Sequence, residues 1–152
     1  IIGHNTDIYG FKQAINDTGY DLAGKKILIL GAGGVVPSII FALYKMKASN
    51  IFLCNRTKEK AENIKNLFND VNIVDWGKIV DSEIIINATS VGLNKDDKIN
   101  LDFLKFRNAE FFYDIIYNPK NTKFLKAGKK LKNTTETGKK MFSYKAEQAF
   151  KI

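Results

Sequence analysis

The stretch "ILILGAGGVVP", residues 27–37, sets four aliphatic residues directly before a glycine-rich turn, and the turn runs into a mixed apolar segment of helical length. A short continuous apolar run bounded by glycine reads as a buried strand. Glycines in the turn let the backbone bend tightly and approach a pyrophosphate, whose charge is stabilised by the free amides at the start of the next helix. Gly31 and Gly33 take the first two positions of a G-x-G-x-x-G pattern, and Val36 stands at the third in place of the usual small residue. A glycine turn without a ligand is the competing reading. The strand before it and the helix after it favour a phosphate loop made of Gly31, Ala32, Gly33, Gly34 and Val35.

Outward from this turn the alternation repeats. "NIFLCN" (50–55) is a second strand, Ala61, Ile64, Leu67 and Phe68 fall at helical spacing after Thr57, and "VNIVD" (71–75) reads as a third strand. "EIIINA" (83–88) and "EFFYDII" (110–116) predict two more. Continuous apolar strands alternating with helices predict an α/β fold, Rossmann-like and doubly wound, with a mainly parallel sheet and helices on both faces. Ahead of the first strand, residues 6–19 predict a helix closed by Gly19, with Ile8, Phe11, Ala14 and Ile15 on one side. After the last strand, "TKFLKAGKKLK" and "MFSYKAEQAF" predict two helices separated by the polar "NTTETGKK".

The 152 residues, 45% hydrophobic and 26% charged, amount to one ordinary globular domain. No apolar run reaches membrane-spanning length and the first residues lack signal-peptide order, so the expected location is the cytoplasm, with no membrane partner. Cys54 is the sole cysteine, which excludes an intrachain disulfide framework, and the sole His4 leaves a zinc site short of ligands; no metal is expected. The net charge of +8 raises the question of nucleic acid. The basic residues, all lysine except Arg56 and Arg107, are dispersed along the chain, and Phe41, Phe111 and Phe112 lie within apolar runs. A compositional bias accounts for the charge, and no nucleic-acid partner is expected.

At the end of the second strand, "NRTKEK" (55–60) puts Asn55, Arg56 and Thr57 where an acidic residue would hold the ribose hydroxyls of NAD. A carboxylate would repel a ribose 2′-phosphate. A guanidinium binds it through paired charge-assisted hydrogen bonds and also stacks on adenine. The expected cofactor is therefore NADP, and a solvated arginine beside a Thr57 helix cap is the secondary reading. "INATSVGL" (86–93) leaves a strand at its carboxyl end, the edge along which ligands lie in such sheets. There Asn87 and Thr89 touch the cofactor or cap their own loop. "YDIIYNPKNTKFL" (113–125) holds Asp114, then Tyr117, which contacts substrate or fills the core, a proline turn, and Thr122 as a helix cap.

Taken in order, these stretches resemble the shikimate dehydrogenase family over nearly the whole chain. "GHNTDIYGF" is similar to that family's GxNTDxxGF segment, "GAGGVV" to its phosphate loop, "NRT" to its NADP motif, "NATSVGL" to its nicotinamide-side loop, and "DIIYNPKNTKFL" to its D-x-x-Y-x-P-x-x-T run. The resemblance implies reversible, NADPH-dependent reduction of 3-dehydroshikimate to shikimate on the route to aromatic amino acids. A lysine and aspartate pair handles the hydroxyl proton while the cofactor carries the hydride. It also implies a substrate domain of roughly a hundred residues ahead of Ile1, holding that lysine and a pair of serines for the substrate carboxylate. On this reading residues 1–152 form one NADP-binding domain, inactive alone, with 1–20 and 138–152 as helices at the junction to the missing N-terminal domain.

The same resemblance makes Asp7 the aspartate of the catalytic pair and places Asn5 at the substrate. Taken alone, Asp7 is an ordinary carboxylate at a helix start, favoured there by the helix dipole. "TGKKMFSYKAEQAF" resembles the family's G-x-x-M-L-x-x-Q-A run, which implies that Gly138 and Met141 lie beside the cofactor. Where the family has a glutamine at the substrate, this chain has Lys145, which donates hydrogen bonds but cannot accept them and adds a charge. Either Lys145 contacts an altered polyol acid, or it faces solvent and Gln148 or nothing replaces the contact. His4, at a variable place in its segment, receives no catalytic role. Two alternatives stand beside the main reading: a quinate/shikimate dehydrogenase relative with NAD preference, against which Arg56 argues, and a stand-alone NADP-binding regulatory module without catalysis.

Overall fold

In the computed structural model, which describes residues 5–151, the apolar run ahead of the glycine turn is β1 (Lys26–Leu30). Its side chains divide between two cores: Ile27 and Ile29 enter one, Leu28 and Leu30 the other. Burial of each such side chain contributes on the order of 1.5–3 kcal/mol, which is why this strand lies at the centre of the sheet. β1 pairs in parallel with β2 (Asn50–Cys54) on one side and β4 (Ile84–Asn87) on the other, with Leu30 opposite both Cys54 and Asn87. β3 (Asn72–Ile73) lies beyond β2, and β5 (Phe111–Asp114) and β6 (Thr134–Thr137) lie beyond β4. The six strands are all parallel in the order β3-β2-β1-β4-β5-β6. This is the expected Rossmann-like sheet, and its order reverses between β1 and β4, where a crevice opens at the carboxyl ends.

α1 (Thr6–Thr18), α2 (Val36–Lys45), α3 (Lys58–Leu67) and α5 (Lys139–Lys151) contribute to the first core, and α4 (Lys123–Lys130) with a 3-10 turn (Phe103–Lys105) to the second. Asn5 caps α1: its Oδ1 accepts from the amides of Asp7 and Ile8. Gly19 ends α1 in the left-handed conformation, as its position predicts. α1 and α5 pack along each other, bringing the two ends of the described chain together.

The connection from β3 to β4 contains no helix, and Val74, Trp76, Ile79 and Val80 pack on the second core there. The structure departs from the sequence reading in two respects. The third strand, read over 71–75, is confined to Asn72–Ile73. The polar separator "NTTETGKK" contributes β6, a sixth strand. β6 is an edge strand with residues only partly buried or exposed, so it needs no apolar pattern; its β-branched threonines suit a pleated edge.

Candidate functional site

The exit from β1 requires glycine. Gly31 has φ 109°, and a Cβ there would lie 2.8 Å from the carbonyl oxygen of Ala88, where the chain leaves β4. The two strand exits therefore pass in backbone contact. At Gly33 and Gly34 an added Cβ would meet nothing within 4 Å, so the turn above α2 faces open space. α2 has no side-chain cap bond at its N-cap Val35; the Val36 amide donates to the Gly33 carbonyl and Pro37 has no N–H, so the amides left for a ligand are those of the turn itself, Gly33 to Val35. An uncapped helix start below an open glycine turn fits a pyrophosphate. Val36, the departure at the third motif position, is fully buried in the first core.

Two clefts adjoin this turn along the sheet edge and share Gly33, Ala88, Thr89 and Ser90. The first, about 380 Å³, is lined by Asn55, Arg56, Thr57, Lys60, Trp76 and Ser90 among others. Arg56 is exposed, and none of the ion pairs among the described residues engages it. Asn55 Nδ2 donates to the Thr57 carbonyl at 2.9 Å and so shapes the turn. Thr57 occupies the N-cap of α3 but makes no side-chain cap bond, unlike the secondary reading of this stretch. Lys60 and Trp76 were absent from the sequence reading. Lys60 follows Arg56 by the i,i+4 interval of a helical turn, which is a usable signal; the only signal for Trp76 is that the chain has no other tryptophan.

The second cleft, about 570 Å³, runs past Gly34, Val35, Thr89, Leu93, Ile116 and Tyr117. Tyr117 is 43% exposed and stacks on Phe142 of α5 with ring centroids 5.0 Å apart, so it lines the cleft and does not fill the core. Asn87 requires a correction: its side chain is fully buried, with no capacity left for a cofactor. Its Oδ1 accepts from the amide and hydroxyl of Thr89, and its Nδ2 donates to the Val91 carbonyl and to Asp114. Asn87 therefore builds the loop, because a strand-end amide beneath a tight turn is nearer to backbone groups than to solvent. Thr89 remains at the cleft, its Oγ1 also accepting from the Val91 amide.

α1 and α5 carry the remaining candidates. Asn5 Nδ2 donates to Ser38 Oγ at 2.8 Å, tying the start of α1 to the first turn of α2. Asp7 Oδ1 lies 2.9 Å from Lys145 Nζ, a pairing that neither reading of Lys145 included. Gly138 is buried, and a Cβ on it would overlap the Ile115 carbonyl, so α5 begins directly against the exit of β5. Met141 is 6% exposed and packs in the first core; neither it nor Gly138 lines either cleft. Cys54 is buried, and burial pushes its thiol up to about 12, which removes thiolate chemistry near neutral pH. Among the described residues no group of three acidic, His or Cys side chains forms a metal site, and no helix is long and apolar enough to cross a membrane.

Comparison with known proteins agrees with this geometry. The sequence model described as shikimate/quinate 5-dehydrogenase matches residues 12–125. The chain is 51% identical over 152 residues to the shikimate dehydrogenase (NADP(+)) of Pelagibacter ubique, covering all of this chain and 57% of that protein. The crystal structure of shikimate dehydrogenase from Thermus thermophilus in complex with NADP(H) and shikimate superposes with TM-score 0.86 at 31% identity, over 97% of this chain and 56% of that one. The ligand-free 5-ketofructose reductase of a Gluconobacter strain superposes with TM-score 0.82 at 35% identity, over 95% of this chain and 55% of that one. The chain thus spans little more than half the length of the relatives it matches.

Proposed function

Because the chain belongs to the shikimate/quinate 5-dehydrogenase family, we propose that it is the NADP-binding domain of a shikimate dehydrogenase that reversibly reduces 3-dehydroshikimate to shikimate. One observation carries this reading: the open, uncapped glycine turn and an arginine in no ion pair line the same cleft at the carboxyl edge of the sheet. When bound, NADPH supplies the hydride. The backbone of the Gly31–Val35 turn, at the N-terminal end of α2, holds the pyrophosphate. Arg56, with Lys60 beside it, takes the 2′-phosphate, while Asn55 and Thr57 shape the turn that presents it. Thr89 and Tyr117 border the nicotinamide and substrate end. Gly138 and Met141 act from below, seating α5 so that Phe142 reaches Tyr117.

Asp7 takes part in moving the hydroxyl proton, and Asn5 fixes its position by capping α1. The part of the protein outside this chain supplies the partner lysine and the groups that bind the substrate carboxylate. It docks on the face formed by α1, α5 and the exposed Tyr117. The chain alone then binds cofactor without turnover. A second reading, an altered keto-polyol substrate, draws support from Lys145 beside Asp7 and from the likeness to 5-ketofructose reductase.

The test is titration of the chain with NADPH and NADH, followed by ligand fluorescence. Tighter binding of NADPH is expected, and Arg56→Ala should remove most of the difference; equal affinities in the unmutated chain would sink the NADP assignment. Turnover of shikimate and NADP by the chain alone would overturn the role given to Asp7 and its absent partner.

A further inference from the structure

Asp114 is the only charged side chain that is fully buried among the described residues, and no step above uses it. It ends β5, one strand away from the crevice, with its register partners Asn87 on β4 and Thr137 on β6 both uncharged. Its Oδ1 accepts from Asn87 Nδ2 at 3.1 Å and from the Ile116 amide at 3.0 Å, and its Oδ2 accepts from Thr122 Oγ1 at 2.7 Å. Of the three donors Ile116 lines the second cleft, and Asn87 and Thr122 lie outside its lining and hold the two loops that form it. Asn87 holds the loop after β4 through Thr89 and Val91, Ile116 starts the loop after β5, and Thr122 closes that loop by capping α4 at the Leu125 amide.

We propose that Asp114 is a positioning residue, whose buried carboxylate ties the loop after β4 to the loop after β5 and so sets the width of the nicotinamide-side cleft. This rests on the NADP-binding reading above for its ligand, though not for the tie itself. A carboxylate deprived of water is retained only where donors replace its hydration, and here three donors converge on it from two loops. Burial pushes the carboxyl up to about 6, while the bonds from Thr122, Ile116 and Asn87 oppose that rise. Thr89 and Val91 of the loop after β4 also line the first cleft, but the loop after β5 lines only the second and Arg56, Thr57 and Lys60 stand outside the tie, so the tie acts more strongly on the Tyr117 end of a bound dinucleotide than on the Arg56 end.

The experiment compares the 152-residue chain with Asp114→Ala and Asp114→Asn. Amide hydrogen exchange is read at Thr89, Val91 and Ile116, and binding is read for NADPH and for adenosine 2′,5′-bisphosphate, which reaches only the Arg56 end. In Asp114→Ala, protection at the three amides should fall by about tenfold or more while β1 keeps its own, and NADPH should weaken by about tenfold with the bisphosphate weakened clearly less. Asp114→Asn, which retains the volume and one acceptor, should lie between, and it decides the matter if the alanine variant does not fold. Unchanged protection at all three amides overturns the tie, and equal loss of both ligands overturns its stronger action on the Tyr117 end. Failure of the unmutated chain to bind either ligand would instead sink the NADP reading, with the exchange data still deciding the tie.

Discussion

The two clefts share a glycine turn but are built in opposite ways. The Arg56 side is made of exposed side chains, Arg56, Thr57 and Lys60, standing at the start of a solvated helix. The Tyr117 side is shaped by a closed network of buried polar groups, Asn87, Asp114 and Thr122, each with its bonds assigned. A solvated arginine can swing to meet a phosphate, whereas a buried carboxylate must be held by the fold before any ligand arrives. Recognition on the first side is therefore adjustable by point substitution at little structural cost, and geometry on the second side is inseparable from stability.

Breaking the turn that both clefts share should have the largest effect. Gly31→Val places a side chain at φ 109° and against the Ala88 carbonyl, so we expect a loss of about 3 kcal/mol or more and no measurable cofactor binding. Chemical denaturation and an NADPH titration check both; a valine variant of native stability would mean that the two strand exits do not touch.

The Asp114 network sharpens the comparison through pH. Its carboxyl rises from the model-compound 3.8 to about 6 in the folded chain. The stability this group contributes is thus fully present below about pH 4 and is lost as pH rises through 6. Asp114→Asn carries no such titration. Unfolding curves at pH 4 and pH 7 should show the wild type losing up to about 3 kcal/mol relative to the asparagine variant over that range. A constant gap would mean that the carboxyl is not desolvated.

The smallest stability effect belongs to Lys145. Its pair with Asp7 is partly exposed on both sides, so Lys145→Gln should change unfolding free energy by less than about 1 kcal/mol. In the full-length protein the same substitution separates the two readings of this residue. A changed KM or kcat for shikimate at unchanged melting temperature places Lys145 at the substrate, and unchanged catalytic efficiency removes it from there.

Much of the fold was legible in local pattern. The apolar runs of β1, β2, β4 and β5, the spacing of Ala61 and Ile64, and the Asn5 and Gly19 boundaries of α1 are each written within a dozen residues. β6 was not, because an edge strand paired on one side needs no apolar signature. The candidate site divides in the same way. Gly31 and Arg56 announce themselves by position after a strand. The place of Asn87 does not, because whether a strand-end amide faces a ligand or the interior depends on Asp114, 27 residues further along the chain.

The sequence by itself determined the alternation of strands and helices, the glycine turn and the arginine at the end of β2, since periodicity, chain reversal and charge are properties of neighbouring residues. Only the tertiary structure decided which polar groups are buried together and which ions meet. Asp114 acquires its three donors, and Asp7 acquires Lys145, through the packing of elements distant in the chain, and hydrogen bonds and ion pairs form between groups that packing brings within about 3 Å, whatever their separation in sequence.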